Sequence, residues 1–299
     1  MKVLVIGGTR LIGKELIRRL LYRNADVTIV TRGRANDEFG NNVCRVKLDV
    51  MDSESVSQNL PQKAFDIVYD MLVLSPDHIK ERLLLLNCDR YIMVSSAEVY
   101  KKHHIGICEE EYNAEREPWT YCGYEDVSYE IRKRYAESAL VVDFKEIPSV
   151  RVRFPVVISA EDYTKRVMWY VDHIINHIPM YIDNMKEKFA FISAEDSGAF
   201  LDRLCDTDIR TLHLFEEHTA INAAGKGIIS PAEICQWIER ISGERAIYSS
   251  PMAFTSYINE APFNGSGTYS LNTSLAEQTG FSFMRNRDYF ISVLEKLIY

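Results

Sequence analysis

Residues 3–16 of the chain read VLVIGGTRLIGKEL, and this stretch decides the fold. The apolar run at residues 3–6 predicts a buried strand, and the run from residue 11 predicts a helix with one apolar face. Gly7, Gly8 and Gly13 lie in and just after the turn between them. Glycines there let the backbone approach a pyrophosphate, which the positive end of the helix dipole attracts. The stretch favours a dinucleotide-binding turn, and a tight turn that only packs a helix on a sheet is the alternative.

Strand-like and helical runs alternate through the first half of the chain. After the first strand at residues 2–6, strands are predicted at 26–31, 43–50, 65–74, 90–96 and 149–158, with helices at 11–22 and 127–141. Strands separated by helical crossovers form a parallel sheet with helices on its faces. The predicted fold class is therefore α/β, a Rossmann-type doubly wound parallel sheet.

The second half is less regular and predicts a smaller C-terminal α/β substrate lobe. Helices are predicted at residues 162–177 and 287–299, and a Ser-Pro-Ala-Glu capping box at residues 230–233 opens another helix that stops at Gly243. We assign residues 1–158 to the nucleotide-binding domain and residues 159–299 to the lobe. Two segments of the lobe, about 189–222 and 268–299, are expected to return and pack on the first domain.

Composition and charge narrow the class of protein. The 299 residues are 46% hydrophobic and carry a formal net charge of −8, which argues against a nucleic-acid partner. The six cysteines are scattered without a Cys-x-x-Cys pair, and no apolar run approaches the ~20 residues that span a bilayer. We expect a cytoplasmic protein with no membrane contact. His173 and His177 have the spacing of a metal pair, but the sequence offers no third ligand, so no metal site is predicted.

The end of the second predicted strand bears on which coenzyme would bind. A fold specific for NAD usually places an acid there, whereas this strand ends Thr31-Arg32-Gly33-Arg34. A 2′-phosphate suits guanidinium groups, so Arg10, Arg32 and Arg34 favour NADP, with NAD as the alternative. These arginines could equally be solvated surface cations. Asp49, after the third strand, is expected either to bond an adenine amino group or to cap the next helix.

A second motif carries the candidate chemistry. Tyr129 and Lys133 are one helical turn apart and so share a face of the predicted helix. Ser96 ends a predicted strand, at the edge of the sheet where ligands bind in open α/β folds. The alternatives are purely structural: Tyr129 and Lys133 could lie on an amphipathic surface helix, and Ser96 could cap a turn. Together the three residues are candidates for a catalytic set.

Several stretches together resemble the extended short-chain dehydrogenase/reductases, the NAD(P)-dependent epimerase/dehydratase family. They are the glycine turn, SSAEVY at 95–100, YEIRKRYAE at 129–137, RFPVVI at 153–158, FAFISAEDSGAF at 189–200, and two closing segments at 222–234 and 269–281. The resemblance implies that Tyr129 is the acid/base, that Lys133 lowers its pKa and binds a ribose, and that Ser96 bonds the substrate oxygen. A nicotinamide would exchange hydride at the carbon bearing that oxygen, so an NAD(P)-dependent epimerase or reductase acting on a sugar-type substrate is expected.

The resemblance also implies which residues contact the coenzyme and the substrate. The coenzyme residues are Gly7, Gly8, Thr9, Arg10, Leu11, Ile12, Gly13, Thr31, Arg32, Asp49, Val50, Met71, Lys133, Phe154 and Pro155. The substrate residues are Glu98 and Trp119, with Glu98 either a base or a solvent-facing carboxylate. The partner is expected to be a small molecule, a sugar or a sugar nucleotide, and related enzymes pair through the tyrosine helix, so a homodimer is expected.

The chain departs from the family pattern at positions that affect the substrate. Ala97 stands where dehydratases usually have an aspartate, which disfavours dehydration. Phe189 and Ser193 stand where enzymes of sugar nucleotides tend to carry an arginine and a histidine, so a nucleotide diphosphate lacks its usual clamp. The Gly-Gly-Thr-Arg pattern also resembles a divergent branch that includes chloroplast RNA-binding proteins. A non-catalytic NADP-sensing or RNA-binding protein on the same fold is therefore the alternative function.

Overall fold

A seven-stranded parallel sheet forms the centre of the protein in a computed structural model, which describes residues 1–206, 212–250 and 260–299. The strands are β1 (Lys2–Ile6), β2 (Asp26–Thr31), β3 (Cys44–Lys47), β4 (Ala64–Phe65), β5 (Ile67–Asp70), β6 (Asn87–Cys88), β7 (Tyr91–Ser96), β8 (Ser149–Phe154), β9 (Val156–Ile158), β10 (Phe189–Ser193), β11 (Ala220–Asn222) and β12 (Ile228–Ile229). The helices are α1 (Leu11–Tyr22), α2 (Ser53–Asn59), α3 (Pro76–Leu83), α4 (Tyr129–Asp143), α5 (Arg166–Ile175), α6 (Ala194–Arg203), α7 (Pro231–Ser242), α8 (Ser274–Gln278) and α9 (Asn286–Ile298).

The strand order of the main sheet is β11-β8-β7-β5-β1-β2-β3, and each pair of neighbours runs parallel. The chain builds outward from β1 in one direction through β2 and β3, and then in the other through β5, β7 and β8. This reversal makes the sheet doubly wound and leaves a crevice at the carboxyl ends of β1 and β5. The predicted fold class is confirmed.

Pro155 divides the strand predicted at residues 149–158 into two. Phe154 is the last residue of β8 and pairs with Ser96 of β7, whereas Val156 pairs with Phe191 of β10 in a separate sheet of order β12-β10-β9. Proline has no N–H for a ladder hydrogen bond, so the strand changes partners there. The carboxyl end of β8 therefore lies where the chain passes from the main sheet to the three-stranded sheet.

The apolar core of the predicted lobe also includes side chains of the predicted first domain, such as Tyr100 and Tyr112. Buried side chains of α5, α7 and α9 pack with those of β10 and β12, and aromatic rings such as Phe189, Phe191 and Phe290 lie at its centre. The capping box predicted at residues 230–233 is confirmed, and Gly243 ends α7 in the left-handed conformation with φ 81°.

The two segments expected to return to the first domain behave differently. The first contributes α6, which packs on α1, and β11, which joins the main sheet beside β8; its residues 207–211 lie outside the described residues. Gly198 permits the α1–α6 contact, because a Cβ there would lie 2.5 Å from Glu15 Cβ. In the last segment α8 packs near β11, whereas α9 packs on α5 and α7 because its buried Phe290, Val293 and Leu294 belong to the core of the lobe.

Over the described ranges, none of the helices combines the length and apolar character needed to cross a membrane. In the same ranges, histidine, cysteine and acidic side chains form no group of three or more that could hold a metal ion.

Candidate active site

A cavity of about 640 Å³ opens at the carboxyl ends of the sheet strands. It is lined by most of the residues predicted to contact the coenzyme and by four of those predicted to be catalytic or to contact the substrate. The first group is Gly7, Thr9, Arg10, Leu11, Ile12, Gly13, Thr31, Arg32, Asp49, Val50, Met71, Phe154 and Pro155. The second group is Ser96, Glu98, Tyr129 and Lys133. The structure thus brings both predicted groups together in one site.

The three glycines of the turn are required for different structural reasons. Gly7 has φ 89°, and a Cβ on it would lie 2.6 Å from Leu72 Cγ. A Cβ on Gly13 would lie 2.7 Å from the Cα of Gly8, so Gly13 lets α1 start close against the turn. Gly8 does not line the cavity, and its Cβ would lie 2.4 Å from Ile17 Cδ1. Gly8 therefore allows α1 to pack on the sheet, whereas Gly7 and Gly13 shape the cavity.

The first turn of α1, which borders the cavity, has no side-chain cap. Its N-cap residue Arg10 makes no side-chain cap hydrogen bond, and no acid lies in the first turn. By contrast, Asp52 and Ser75 cap α2 and α3 with their side chains. The Arg10 guanidinium lies 4.5 Å from the centre of the Tyr163 ring, so this cation bridges the glycine turn and the loop before α5. These features fit the phosphates of a dinucleotide.

The arginines that follow β2 also line the cavity. Arg32 and Arg34 both line it, and an Arg32 terminal nitrogen lies 3.9 Å from Asp49 Oδ2. Asp49 does not cap α2, since Asp52 accepts the capping bond, and Asp49 instead accepts a bond from the Met51 N–H. The predicted alternative role of Asp49 as the helix cap is therefore wrong. Its carboxylate is left partly exposed beside a guanidinium.

Tyr129 begins α4 and is partly exposed as a whole residue, with its ring on the cavity wall and its phenol shielded from solvent. Burial of the phenol raises its pKa above the ordinary tyrosine value, and a hydrogen bond with Ser96 acts in the opposite direction. The Glu98 carboxylate adds to the rise, whereas Arg132 and Arg166 oppose it. The phenol is therefore protonated at neutral pH and can donate a proton.

Lys133 lies one turn further along α4 and is 3% exposed. Its ammonium donates to the carbonyl oxygens of Val73 at 2.7 Å and Val94 at 2.9 Å. Burial lowers the pKa of Lys133 to about 8. An ammonium has three N–H donors, so one remains for a ligand in the cavity.

Ser96 and Glu98 belong to a short 3₁₀ turn, whereas Trp119 lies elsewhere. The Ser96 hydroxyl oxygen accepts the Glu98 N–H at 3.2 Å, so its proton can be donated toward the Tyr129 phenol or a substrate oxygen. Trp119, predicted to contact substrate, is outside the cavity and packs edge-on to Tyr121, 5.0 Å between ring centres, against the core under α3 and α4.

Tyr163 and Arg166 line the cavity and were missed by sequence reasoning. Both come from the stretch predicted as one helix at residues 162–177, whereas α5 begins only at Arg166. Lys165 precedes it in the left-handed conformation with φ 56°. No periodic signal marks a loop residue that faces a cavity, because its neighbours come from a distant part of the chain.

Comparison with known sequences gives a partial match. A sequence model of the NAD dependent epimerase/dehydratase family matches residues 3–81, so the predicted resemblance is confirmed for that part of the chain. The chloroplast stem-loop binding protein of 41 kDa b from Arabidopsis thaliana is 34% identical over 125 residues. That match covers 37% of this chain and only 33% of the plant protein.

Comparison with solved structures covers the whole chain. The UDP-glucuronic acid 4-epimerase from Bacillus cereus, solved with UDP-glucuronic acid and NAD, superposes with a TM-score of 0.75 at 17% identity and covers 100% of this chain and 99% of that one. The UDP-glucose 4-epimerase from Thermotoga maritima, solved with UDP-glucose, has a TM-score of 0.70 at 13% identity and covers 100% of this chain and 98% of that one. At these identities the similarity establishes the fold.

Proposed function

We propose that the protein is an NADP-dependent epimerase or reductase that acts on a sugar-type substrate. The observation that carries the proposal is the convergence of Ser96, Tyr129 and Lys133 on the cavity that also holds the glycine turn. The family match over residues 3–81 and the fold shared with epimerases of UDP-sugars support it. UDP-sugar ligands of those structures extend the candidate substrates to sugar nucleotides.

The residues that line the cavity fit a dinucleotide, and each of the three catalytic candidates has a separate role in the proposed reaction. A bound nicotinamide would accept or return hydride. The Ser96 hydroxyl would donate to the substrate oxygen, and the Tyr129 phenol would give or take the proton at that oxygen. The Lys133 ammonium would use its third donor on a ribose hydroxyl, and its charge would favour the phenolate.

Hydride exchange tests the function directly. The protein is incubated with NADP, or with NADPH deuterated at the transferred position, and with a panel of sugars and nucleotide sugars. The products are separated by chromatography, which resolves epimers, and analysed by mass spectrometry. We expect a change of configuration or oxidation state in at least one member, which disappears without coenzyme. Tight NADP binding with no conversion of any member would argue against an enzyme.

The coenzyme preference depends on the arginines that follow β2. Loss of the Arg32 guanidinium removes a charged partner of a 2′-phosphate, so Arg32→Ala is expected to weaken NADP binding about 10- to 100-fold and to leave NAD binding nearly unchanged. Arg45→Ala is the matched control, since Arg45 pairs with Asp37 and does not line the cavity. Titration of both coenzymes by calorimetry is the measurement. Equal affinity for NAD and NADP, unchanged in Arg32→Ala, would contradict this assignment.

A non-catalytic, RNA-binding protein is the second candidate. It is favoured by the 34% identity to a chloroplast stem-loop binding protein, although the match covers a third of that protein. The net charge of −8 and the retained Ser96, Tyr129 and Lys133 favour an enzyme. Anisotropy of a labelled RNA stem-loop at physiological salt separates the two candidates.

Two further properties belong to the proposal. We propose a homodimer paired through α4, and light scattering that finds only monomer at micromolar concentration would remove it. All six cysteines are free, which supports a reducing, cytoplasmic setting.

A further inference from the structure

Arg166 is a cavity residue that the proposed chemistry leaves without a role. It is the first residue of α5, and its side chain is 28% exposed. Its Nε donates to Asp162 Oδ2 at 3.2 Å, and one terminal nitrogen donates to the Val157 carbonyl at 2.9 Å. Because these bonds hold the guanidinium in place, little side-chain entropy remains to be lost when a ligand binds.

Arg166 lies at the end of the cavity near Ser96 and Tyr129, which we call the catalytic end. Val157, whose carbonyl it holds, lies three residues after Phe154, and Phe154 pairs in register with Ser96. The arginine also acts electrostatically on the Tyr129 phenol. Arg32 and Arg34, by contrast, follow β2 on the far side of β1. The guanidinium is thus separated from the coenzyme arginines and close to the residues that would act on the substrate.

The guanidinium retains capacity to bind a ligand. Of its five N–H donors, the contacts in the described part of the chain use two, so three remain. The cavity wall has five basic side chains (Arg10, Arg32, Arg34, Lys133 and Arg166) against two acidic ones (Asp49 and Glu98), although the chain carries a net charge of −8. The buried Asp162, which does not line the cavity, offsets one of these positive charges through its ion pair with Arg166, and the wall still has more basic than acidic groups. Only Arg166 and Lys133 of these cations belong to the catalytic end, and the Lys133 ammonium is bonded to two carbonyls.

The position at which the resemblance puts a substrate arginine carries no cation here, and the adjacent Lys188 lies 3.4 Å from the Glu233 carboxylate. Phe189 stands there, is 1% exposed and packs against Phe191 and Phe263 in the core of the lobe. The chain therefore lacks that clamp and offers a guanidinium from α5 instead. A group bound by Arg166 would lie beside the reacting carbon and not at the far end of a long nucleotide.

We infer that Arg166 binds an anionic substituent of the substrate itself, a carboxylate or a phosphate, and so selects acidic or phosphorylated sugars over their neutral counterparts. The inference rests on the proposed function and names its substrate class. Both anions accept two parallel N–H bonds from a guanidinium.

Matched pairs of ligands test the inference on the intact, NADP-saturated protein. The pairs are glucuronic acid with glucose, glucose 6-phosphate with glucose, and UDP-glucuronic acid with UDP-glucose. In the wild type we expect at least one anionic member to bind about 10- to 100-fold more tightly than its neutral partner. Arg166→Met should remove that preference by weakening the anionic member much more than its neutral partner. Arg166→Lys should keep part of it, because the charge remains while the fork is lost.

Arg132→Met is the matched control. Arg132 also acts on the Tyr129 phenol but does not line the cavity, so its loss should leave the preference intact. The carboxylate and phosphate pairs identify which anion is bound. Equal binding within every pair, binding of no anionic member, or a preference that survives in Arg166→Met would overturn the inference. If the anionic preference were absent but neutral sugars still exchanged hydride, only the inference about Arg166 would be overturned. Failure of the protein to bind NADP would instead contradict the proposed function.

Discussion

Replacing Glu137 with glutamine is expected to lower the free energy of unfolding by about 3–5 kcal/mol. Glu137 is fully buried in α4, and its carboxylate accepts bonds from Ser95 at 2.5 Å, Arg151 at 3.2 Å and Arg153 at 2.7 Å. The neutral amide would leave two buried guanidinium groups without a counter-charge and would turn a donor toward them. Because the network joins α4 to β7 and β8, its loss would loosen the strand end that carries Ser96.

Urea denaturation followed by circular dichroism measures the effect. Glu130→Gln is the matched control, because Glu130 lies on the same helix, is partly exposed and bonds only Ser128 among the described hydrogen bonds. Glu130→Gln should lower the free energy of unfolding by less than about 1 kcal/mol. A Glu137→Gln midpoint within the error of the Glu130→Gln midpoint would show that the buried carboxylate does not stabilise the fold.

The same carboxylate makes stability depend on pH. Burial alone would raise the pKa of Glu137, but Arg153 and Arg151 outweigh it and hold the pKa below its ordinary value of 4.5. A lowered folded-state pKa adds stability above the unfolded value, and this contribution is lost as the pH falls below about 4.5. The wild type should therefore lose more stability between neutral pH and pH 4 than Glu137→Gln does.

Local patterns were sufficient to predict most of the fold. Buried parallel strands appear as short apolar runs, and glycines or capping residues mark the turns that follow, so β1, α1 and α7 were predicted within a few residues. The break at Pro155 was not predicted, because the apolar run continues through it. Which sheet each half joins depends on Ser96 and Phe191, which lie far away in the chain.

The candidate site was predictable where topology alone brings residues together. Parallel strands end at one edge, so Ser96, the glycine turn and the start of α4 had to meet there. The position of Trp119 depends on how a loop packs on α3 and α4, and the position of Arg166 depends on where the chain turns into α5. Neither position can be predicted from the spacing of residues in the sequence, because both depend on contacts between segments that are distant in the chain.

Tyr129→Phe is expected to reduce hydride exchange by about 10²- to 10⁴-fold while NADP binds with nearly unchanged affinity. The change removes the hydroxyl and keeps the ring that lines the cavity. Because burial raises the pKa of the Tyr129 phenol, it serves as an acid at neutral pH, so reduction should proceed there and oxidation should accelerate as the pH rises. Coenzyme affinity should weaken above about pH 8, where Lys133 loses its charge.

Two measurements separate a catalytic phenol from a structural one. Tyr135→Phe removes a hydroxyl from the same helix outside the cavity and should keep the wild-type rate. The rise of the oxidation rate with pH should be present in Tyr135→Phe and absent from the residual rate of Tyr129→Phe, since only the phenol at the cavity exchanges the proton. If the rate of Tyr129→Phe stayed within a few-fold of the wild-type rate with the same pH profile, another group would transfer the proton. Glu98 would then be the next residue to replace, because its carboxylate lines the same cavity and it lies two residues from Ser96.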